Sequence, residues 1–342
     1  MIQHQHASHL LILYQKVVSE SLLLIHINVS GALGEYNVVG ALFDRSRGME
    51  GSSLPTPYTK SATGSGNQSK ISTHQQELMK RGLPKKAPIE GVRYIILVAS
   101  GKGGVGKSTT AVNLAAAISV VKQTANVGIL DADIYGPSIP KMMGLSGEPT
   151  LSRENLMIPL NNFGIKCMSI GFLVDDKSAI VWRGPMVMSA IHKLTREVNW
   201  SPLDYLIIDM PPGTGDTQLS ISQEVHVNGA IVVTTPQDIA LLDARRGAEM
   251  FRKVNIPVLG FVQNMSVFVC PNCSSTTHIF GDNGTQKLAS EMGVDILGDV
   301  PLHLSVRESC DQGIPIVFSR PESPESRVYK EIALKIVAEF PI

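Results

Sequence analysis

Ten consecutive residues, Ser100-Gly101-Lys102-Gly103-Gly104-Val105-Gly106-Lys107-Ser108-Thr109, carry the densest chemistry in this 342-residue chain. Glycines let a backbone curl tightly enough for its N–H groups to face inward on an anion. Lys107 offers its charge to β- and γ-phosphates, and the Ser108 hydroxyl offers a ligand to Mg²⁺. The loop follows an apolar run, Tyr94–Ala99, and precedes an Ala-rich helical stretch. That context adds the positive N-terminal end of a helix to the anion site. Gly101, Gly103, Gly104, Val105, Gly106, Lys107, Ser108 and Thr109 are therefore candidate ATP-binding residues.

Carboxylates follow at two later strand ends. Val127–Leu130 runs into Asp131-Ala132-Asp133, and Tyr205–Ile208 runs into Asp209. Acids at the carboxyl ends of buried strands face the crevice where open α/β sheets bind ligands. Asp131 is placed to hold Mg²⁺ through water, and Asp209 to support the same ion as a Walker B acid. Asp133 could orient or deprotonate an attacking water, since phosphoryl transfer demands positioning more than covalent chemistry. The continuation Met210-Pro211-Pro212-Gly213-Thr214-Gly215-Asp216 alternates stiff and hinge-like residues, as a γ-phosphate-sensing switch would.

A third feature is Cys270-Pro271-Asn272-Cys273. Two thiolates at this spacing make half of a four-cysteine site, and Cys167 and Cys310 stand alone. One pair from each chain of a two-fold dimer would complete four sulfurs, suited to an iron–sulfur cluster or to zinc. Zinc is a rival within one chain, because His278 lies five residues past Cys273. A redox dithiol is the third reading. Spacing alone leaves all three open.

The elements that must position these residues are legible as short apolar runs separated by helix-length segments. The runs are Tyr94–Ala99, Val127–Leu130, Tyr205–Ile208, Ala230–Val233 and Val258–Val262; the segments are Ser108–Val121, Met186–Val198, Leu241–Val254 and Thr285–Met292. Runs without alternation imply strands buried on both faces, joined by right-handed crossovers. The expectation is α/β: a doubly wound, mostly parallel sheet over residues 76–342. Residues 1–75, with a His-rich start and a Ser/Gly/Thr-rich run at Gly51–Ser69, are expected to be a poorly structured extension, either a targeting segment or a gene-model artefact.

The Lys-Gly-Gly-x-Gly-Lys-Ser form resembles the deviant phosphate loop of the MinD, ParA and nitrogenase-iron-protein class. That resemblance implies an ATP-sandwich homodimer, with Lys102 contacting nucleotide on the facing subunit. It also implies that Asn264 and Pro301 frame the base. The loop, Asp131-Ala132-Asp133, the Asp209–Asp216 run, Thr235-Pro236-Gln237-Asp238 and the cysteine pair occur in the order of the Mrp/ApbC family of P-loop iron–sulfur cluster carriers. The match covers roughly residues 80–340. Arg81–Lys85, Val181–Ile191 and Gln263–Phe268 resemble its mitochondrial NUBPL-type branch, which serves assembly of respiratory complex I. The resemblance implies a labile [4Fe–4S] cluster bridged by Cys270 and Cys273 of two subunits, and slow ATP hydrolysis coupled to delivery. Its implied clients are complex I subunits and its implied location is the mitochondrial matrix. The N-terminus departs from that pattern: Lys16, Arg45 and Arg47 are few for a presequence and are mixed with Glu20, Glu35 and Asp44, leaving the cytoplasm as the other location.

Composition bounds the alternatives. Thirty basic residues balance thirty acidic ones, which gives no electrostatic footprint for nucleic acid. No apolar run reaches the ~18–20 residues of a membrane span. A positioning ATPase of the MinD or ParA kind would hold membrane or nucleoid through an amphipathic C-terminal helix or a basic surface. The tail Ser326–Phe340 has helical apolar spacing, but its polar face mixes Lys and Glu, so core packing is the expectation. A metal-regulated NTPase with structural zinc is the other competing function.

Overall fold

A computed structural model describes residues 86–174, 182–270 and 272–342. The expected extension at 1–75, the Arg81–Lys85 motif and Val181 lie outside the described residues. The elements, in order, are β1 (Val92–Ala99), α1 (Lys107–Val121), β2 (Val127–Asp131), α2 (Ile139–Met142), β3 (Leu160–Asn162), β4 (Ile165–Ser169), α3 (Gly184–Arg196), β5 (Leu203–Asp209), α4 (Asp216–Glu224), β6 (Gly229–Thr234), α5 (Asp238–Lys253), β7 (Val258–Val269), β8 (Thr276–Thr277), α6 (Gly284–Met292), β9 (Ile296–Leu302), α7 (Leu304–Gln312), α8 (Ile316–Ser319) and α9 (Pro324–Glu339).

The sheet runs β3-β4-β2-β5-β1-β6-β7-β8, with β9 also paired to β7. All pairings are parallel except those of β3 and β8. The mostly parallel, doubly wound expectation holds, and its cause is visible in β1, β2, β5 and β6. Their continuous apolar runs are buried along nearly their whole length, because helices cover both faces. Alanines of α1 let it approach the sheet closely, and Ala111, Val112, Leu114, Ala115 and Ile118 are wholly buried. The tail helix α9 packs on α1 and β9. Its Tyr329, Ile332, Ala333 and Ile336 are buried, as the core-packing expectation required. Ile332 and Val328 fill the space above Gly298, where an added Cβ would lie 2.9 Å from Ile332.

Two expectations change. The strand expected to stop at Val262 continues to Val269, so Gln263-Asn264-Met265-Ser266 is strand rather than a following loop. The reason is pairing: β9 runs beside it from Phe261 to Phe268, and β8 folds back against Phe268 and Val269. The register shifts between Asn264 and Phe268, where Met265 takes φ 56°. This bulge breaks the apolar pattern that would otherwise have announced a strand. The helices α3, α5 and α6 also begin earlier than their apolar spacing implies, at Gly184, Asp238 and Gly284, because the opening residues Gly184, Pro185, Asp238, Ile239 and Gly284 lie outside the buried stripe.

Candidate functional site

The strands β1, β2, β5 and β7 deliver their carboxyl ends to one crevice. Parallel register sets Asp131 beside Asp209 across β2 and β5, and Val98 beside Asp209 across β1 and β5. Between β1 and α1 the Gly101–Thr109 loop curls over this line. Gly106 has φ 87°, a left-handed conformation that also lets the Asn264 amide close in; an added Cβ would lie 2.0 Å from Asn264 Nδ2. Gly101 lies against the backbone of α5, where a Cβ would meet the carbonyl carbon of Asp243 at 2.2 Å. The loop is held from below by Thr110, whose N–H and hydroxyl both donate to Gly106 O, at 3.0 and 2.9 Å.

Lys107 is buried, and its ammonium donates to Asp209 Oδ1 at 2.7 Å and Ser108 Oγ at 3.0 Å, with Asp133 Oδ2 at 3.7 Å. Asp131 is wholly buried. Its carboxylate accepts the backbone N–H groups of Asp133, Ser138 and Ile139, and the Ser169 hydroxyl at 3.0 Å. It thereby shapes the segment that carries Asp133. Burial, reinforced by the nearby charge of Asp209, pushes the Asp131 carboxyl up to about 7. Burial also raises Asp133 and Asp209, with Lys107 pulling both back down. Three acids thus share one cation in a dry place, and Asp209 Oδ2 is buried with no hydrogen-bond partner. A hard divalent cation with phosphate oxygens would relieve that imbalance, so the donor set fits Mg²⁺.

The switch segment after β5 is tied to this loop: Gly213 N–H donates to Ser100 O at 3.0 Å, and Met210 N–H to Val98 O. Gln218 on α4, almost fully buried, donates its amide to Pro211 O. Sequence reasoning passed over Gln218 and Ser169. Neither belongs to a motif, and β4, which carries Ser169, was not read from its five residues Ile165–Ser169.

Asn264 lies on β7 under the phosphate loop and donates Nδ2 to Val105 O at 2.8 Å. Pro301 lies on β9 next to Val300, the residue paired with Asn264. Lys102 is partly exposed at the crevice rim, and it makes no ion pair among the described residues. The cysteine pair caps the β7–β8 hairpin. Cys270 N–H donates to Ser275 O, and Cys270 O accepts from Ser274 N–H, closing the tight turn that holds both thiols at one tip. Cys273 is exposed, its Sγ 3.1 Å from Ser275 Oγ. That hydroxyl is the first cause holding the Cys273 thiol down at about 7. His278 turns away, its Nδ1 at 3.1 Å from Ser266 O. Among the described residues no group of three or more His, Cys, Asp or Glu converges on a metal position. Cys167 is wholly buried with its thiol pushed up to about 12, and Cys310 sits beside Thr109.

Comparison with known proteins places this geometry. The family model described as ParA, NUBPL iron-transfer P-loop NTPase, matches residues 91–337. The mouse iron-sulfur cluster transfer protein NUBPL is 62% identical over 267 residues, spanning 78% of this chain and 84% of that protein. An Arabidopsis thaliana protein described as an iron-sulfur protein required for NADH dehydrogenase, mitochondrial, is 52% identical over 73% of this chain and 79% of its own length. Among solved structures, the Archaeoglobus fulgidus nucleotide-binding protein in complex with ADP superposes with a TM-score of 0.60. It is 36% identical, covering 70% of this chain and 92% of that one.

Proposed function

The chain belongs to the NUBPL iron-transfer P-loop NTPase family, and on that premise we propose that it is an ATP-dependent carrier of iron–sulfur clusters that serves complex I maturation in the mitochondrial matrix. The observation that carries the reading is the isolation of Cys270 and Cys273. They stand together at an exposed hairpin tip, no third ligand in the described chain reaches them, and the same strand runs back beneath the phosphate loop. Two thiols need two more, and a second copy across a two-fold axis brings them. The cargo is then a [4Fe–4S] cluster shared between two protomers.

ATP is the second substrate. Gly101–Thr109 would wrap its phosphates. Lys107 would exchange its bond to Asp209 for the β- and γ-phosphates, and Lys102, without an ion pair among the described residues, would reach nucleotide on the partner subunit. Asn264 and Pro301 would border the base. Mg²⁺ bound with the nucleotide would be held by Ser108, with Asp131 through water and Asp209 in support, and would supply charge neutralisation at the phosphates. Asp133, half-buried at the crevice, is the group positioned to orient water for slow hydrolysis. Closure of two protomers around ATP would alter exposure of the shared cluster, by no more than ATP prefers the closed dimer over the open one.

The test is anaerobic reconstitution of the full chain with iron and sulfide, read by metal content and by visible and Mössbauer spectra. The expected result is about four iron and four sulfide per dimer, lost in a Cys270→Ala/Cys273→Ala double variant. Stoichiometric zinc without cluster would defeat the carrier reading and leave an NTPase with a structural metal.

A further inference from the structure

Nothing in the carrier reading says how the state of the phosphate loop reaches the cysteine hairpin. Asn264 lies on β7, and Cys270, six positions on, is the first residue past the end of that strand. At one end of this stretch, the Asn264 carboxamide grips the phosphate loop at Val105 O, 2.8 Å away, buried from water. The grip is intimate: the space a side chain at Gly106 would need is taken by the same amide. At the other end, Cys270 opens the hairpin tip through its two turn hydrogen bonds.

Between them the strand is irregular. Up to Asn264 it is pinned on both sides, Gln263 to Thr234 of β6 and Asn264 to Val300 of β9. The ladder then slips, and regular pairing resumes only at Phe268. In the gap, Met265 holds φ 56°, a left-handed conformation that side chains other than Gly, Asn and Asp rarely take. Strained backbone of this kind persists where surrounding contacts over-determine it, and it marks places where a small shift is transmitted or released. Two contacts fasten the gap from outside: Ser266 Oγ donates to Val300 O at 3.2 Å, and the arm past the cysteines returns so that His278 Nδ1 meets Ser266 O at 3.1 Å. The hairpin therefore hangs from the slipped segment at both of its ends.

We infer that Asn264 is a positioning residue whose amide couples the phosphate loop to the cysteine hairpin through the left-handed Met265. Nucleotide entry reshapes the loop at Val105–Gly106. The amide follows the Val105 carbonyl, and the slipped segment converts that movement into a change at Cys270 and Cys273. This rests on the carrier reading for its purpose, but not for its geometry. It also gives Asn264 a task distinct from framing the base.

The experiment follows the thiols of the cluster-free full chain directly. Maleimide labelling of Cys270 and Cys273 is timed by peptide mass spectrometry, with and without Mg²⁺ and a non-hydrolysable ATP analogue. Buried Cys167 is the internal fold control. In the wild type, saturating nucleotide changes the labelling rate by a factor of about ten at most, the equilibrium weight of one net hydrogen bond. Asn264→Asp keeps the shape but has no N–H for Val105 O, and the nucleotide effect on the thiols disappears. Met265→Gly, which leaves the Asn264 amide and the phosphate-loop residues unchanged, keeps nucleotide affinity yet blunts the effect, because a slack hinge transmits less. The proposal is overturned if wild-type labelling ignores nucleotide. It is overturned equally if Asn264→Asp retains the full effect, or loses only its discrimination between ATP and GTP. Should Asn264→Asp bind no nucleotide, Met265→Gly decides, an undiminished effect there being refutation. Iron and sulfide content of the reconstituted wild type judges the carrier reading separately, so the two can fail independently.

Discussion

Lys107→Ala removes an ammonium that lies 2.7 Å from Asp209 and 3.7 Å from Asp133, with both ends of the closer pair nearly sealed from water. Breaking one side of a buried ion pair costs about 3–5 kcal/mol if the surviving charge stays uncompensated. Asp209 has one escape, which is to take up a proton. Burial already pushes its carboxyl above the ordinary range, and Lys107 is the main influence pulling it back. In the variant, the folded chain therefore holds a proton that the unfolded chain releases near pH ~4. A carboxyl raised in the folded state contributes stability below its unfolded pKa and loses it as pH rises, at about 1.4 kcal/mol per pH unit, until the folded pKa is passed. The deficit relative to wild type should then widen from about 1–2 kcal/mol at pH ~5 to about 3–5 kcal/mol at pH ~7.5. At about 2–4 °C per kcal/mol for a domain of this size, the Tm gap grows from a few degrees to roughly 8–15 °C. Thermal unfolding followed by circular dichroism without nucleotide reads it. Lys102→Ala, which breaks no ion pair among the described residues, is the control and should stay within about 0.5 kcal/mol of wild type. A Tm gap independent of pH, or one that widens toward acid, would refute the account of this buried cluster.

Other outcomes follow from the same coordinates. In the wild type, the Asp131 carboxyl raised to about 7 should make stability fall as pH rises through that value. Asp131→Asn, which keeps an oxygen for Ser138 and Ile139, should flatten the Tm profile between pH ~5 and ~7.5, and an equally steep profile would remove Asp131 as the cause. Gly101→Ala drives a Cβ into the α5 backbone at 2.2 Å, so a fluorescent ATP analogue should bind about tenfold more weakly or worse, as when a charged hydrogen bond to phosphate is lost. Gly103→Ala, with nothing within 4 Å of its Cβ, should not share that loss on packing grounds. Ile332→Ala on α9 should cost about 2–5 kcal/mol in urea unfolding. A cost below about 1 kcal/mol would mean that the tail helix is not core, and would revive membrane attachment as its role.

Local chemistry made much of this protein legible without coordinates. The glycine-rich loop, Lys107, Ser108 and the strand-end acids announce themselves because phosphate binding demands particular residues at fixed offsets. The doubly buried strands β1, β2, β5 and β6 announce themselves because a strand covered on both faces has no polar alternation to blur it. The cysteine pair was visible too, with three chemistries left open. What the chain order could not convey were relations between distant segments. The extension of β7 through Asn264 depends on β9, which arrives more than thirty residues later. The upward shift of Asp131 comes from its burial and from the charge of Asp209 on the neighbouring strand, and the Ser169 hydroxyl, from a third strand, pulls against it. Whether His278 could join the cysteines depended on the turn of the β8 arm, which aims its ring at Ser266 instead. Residue types and spacing determine which groups are available. Only tertiary structure decides which are dry, which share a charge and which are already taken, because those are properties of three-dimensional neighbours and of the water they exclude.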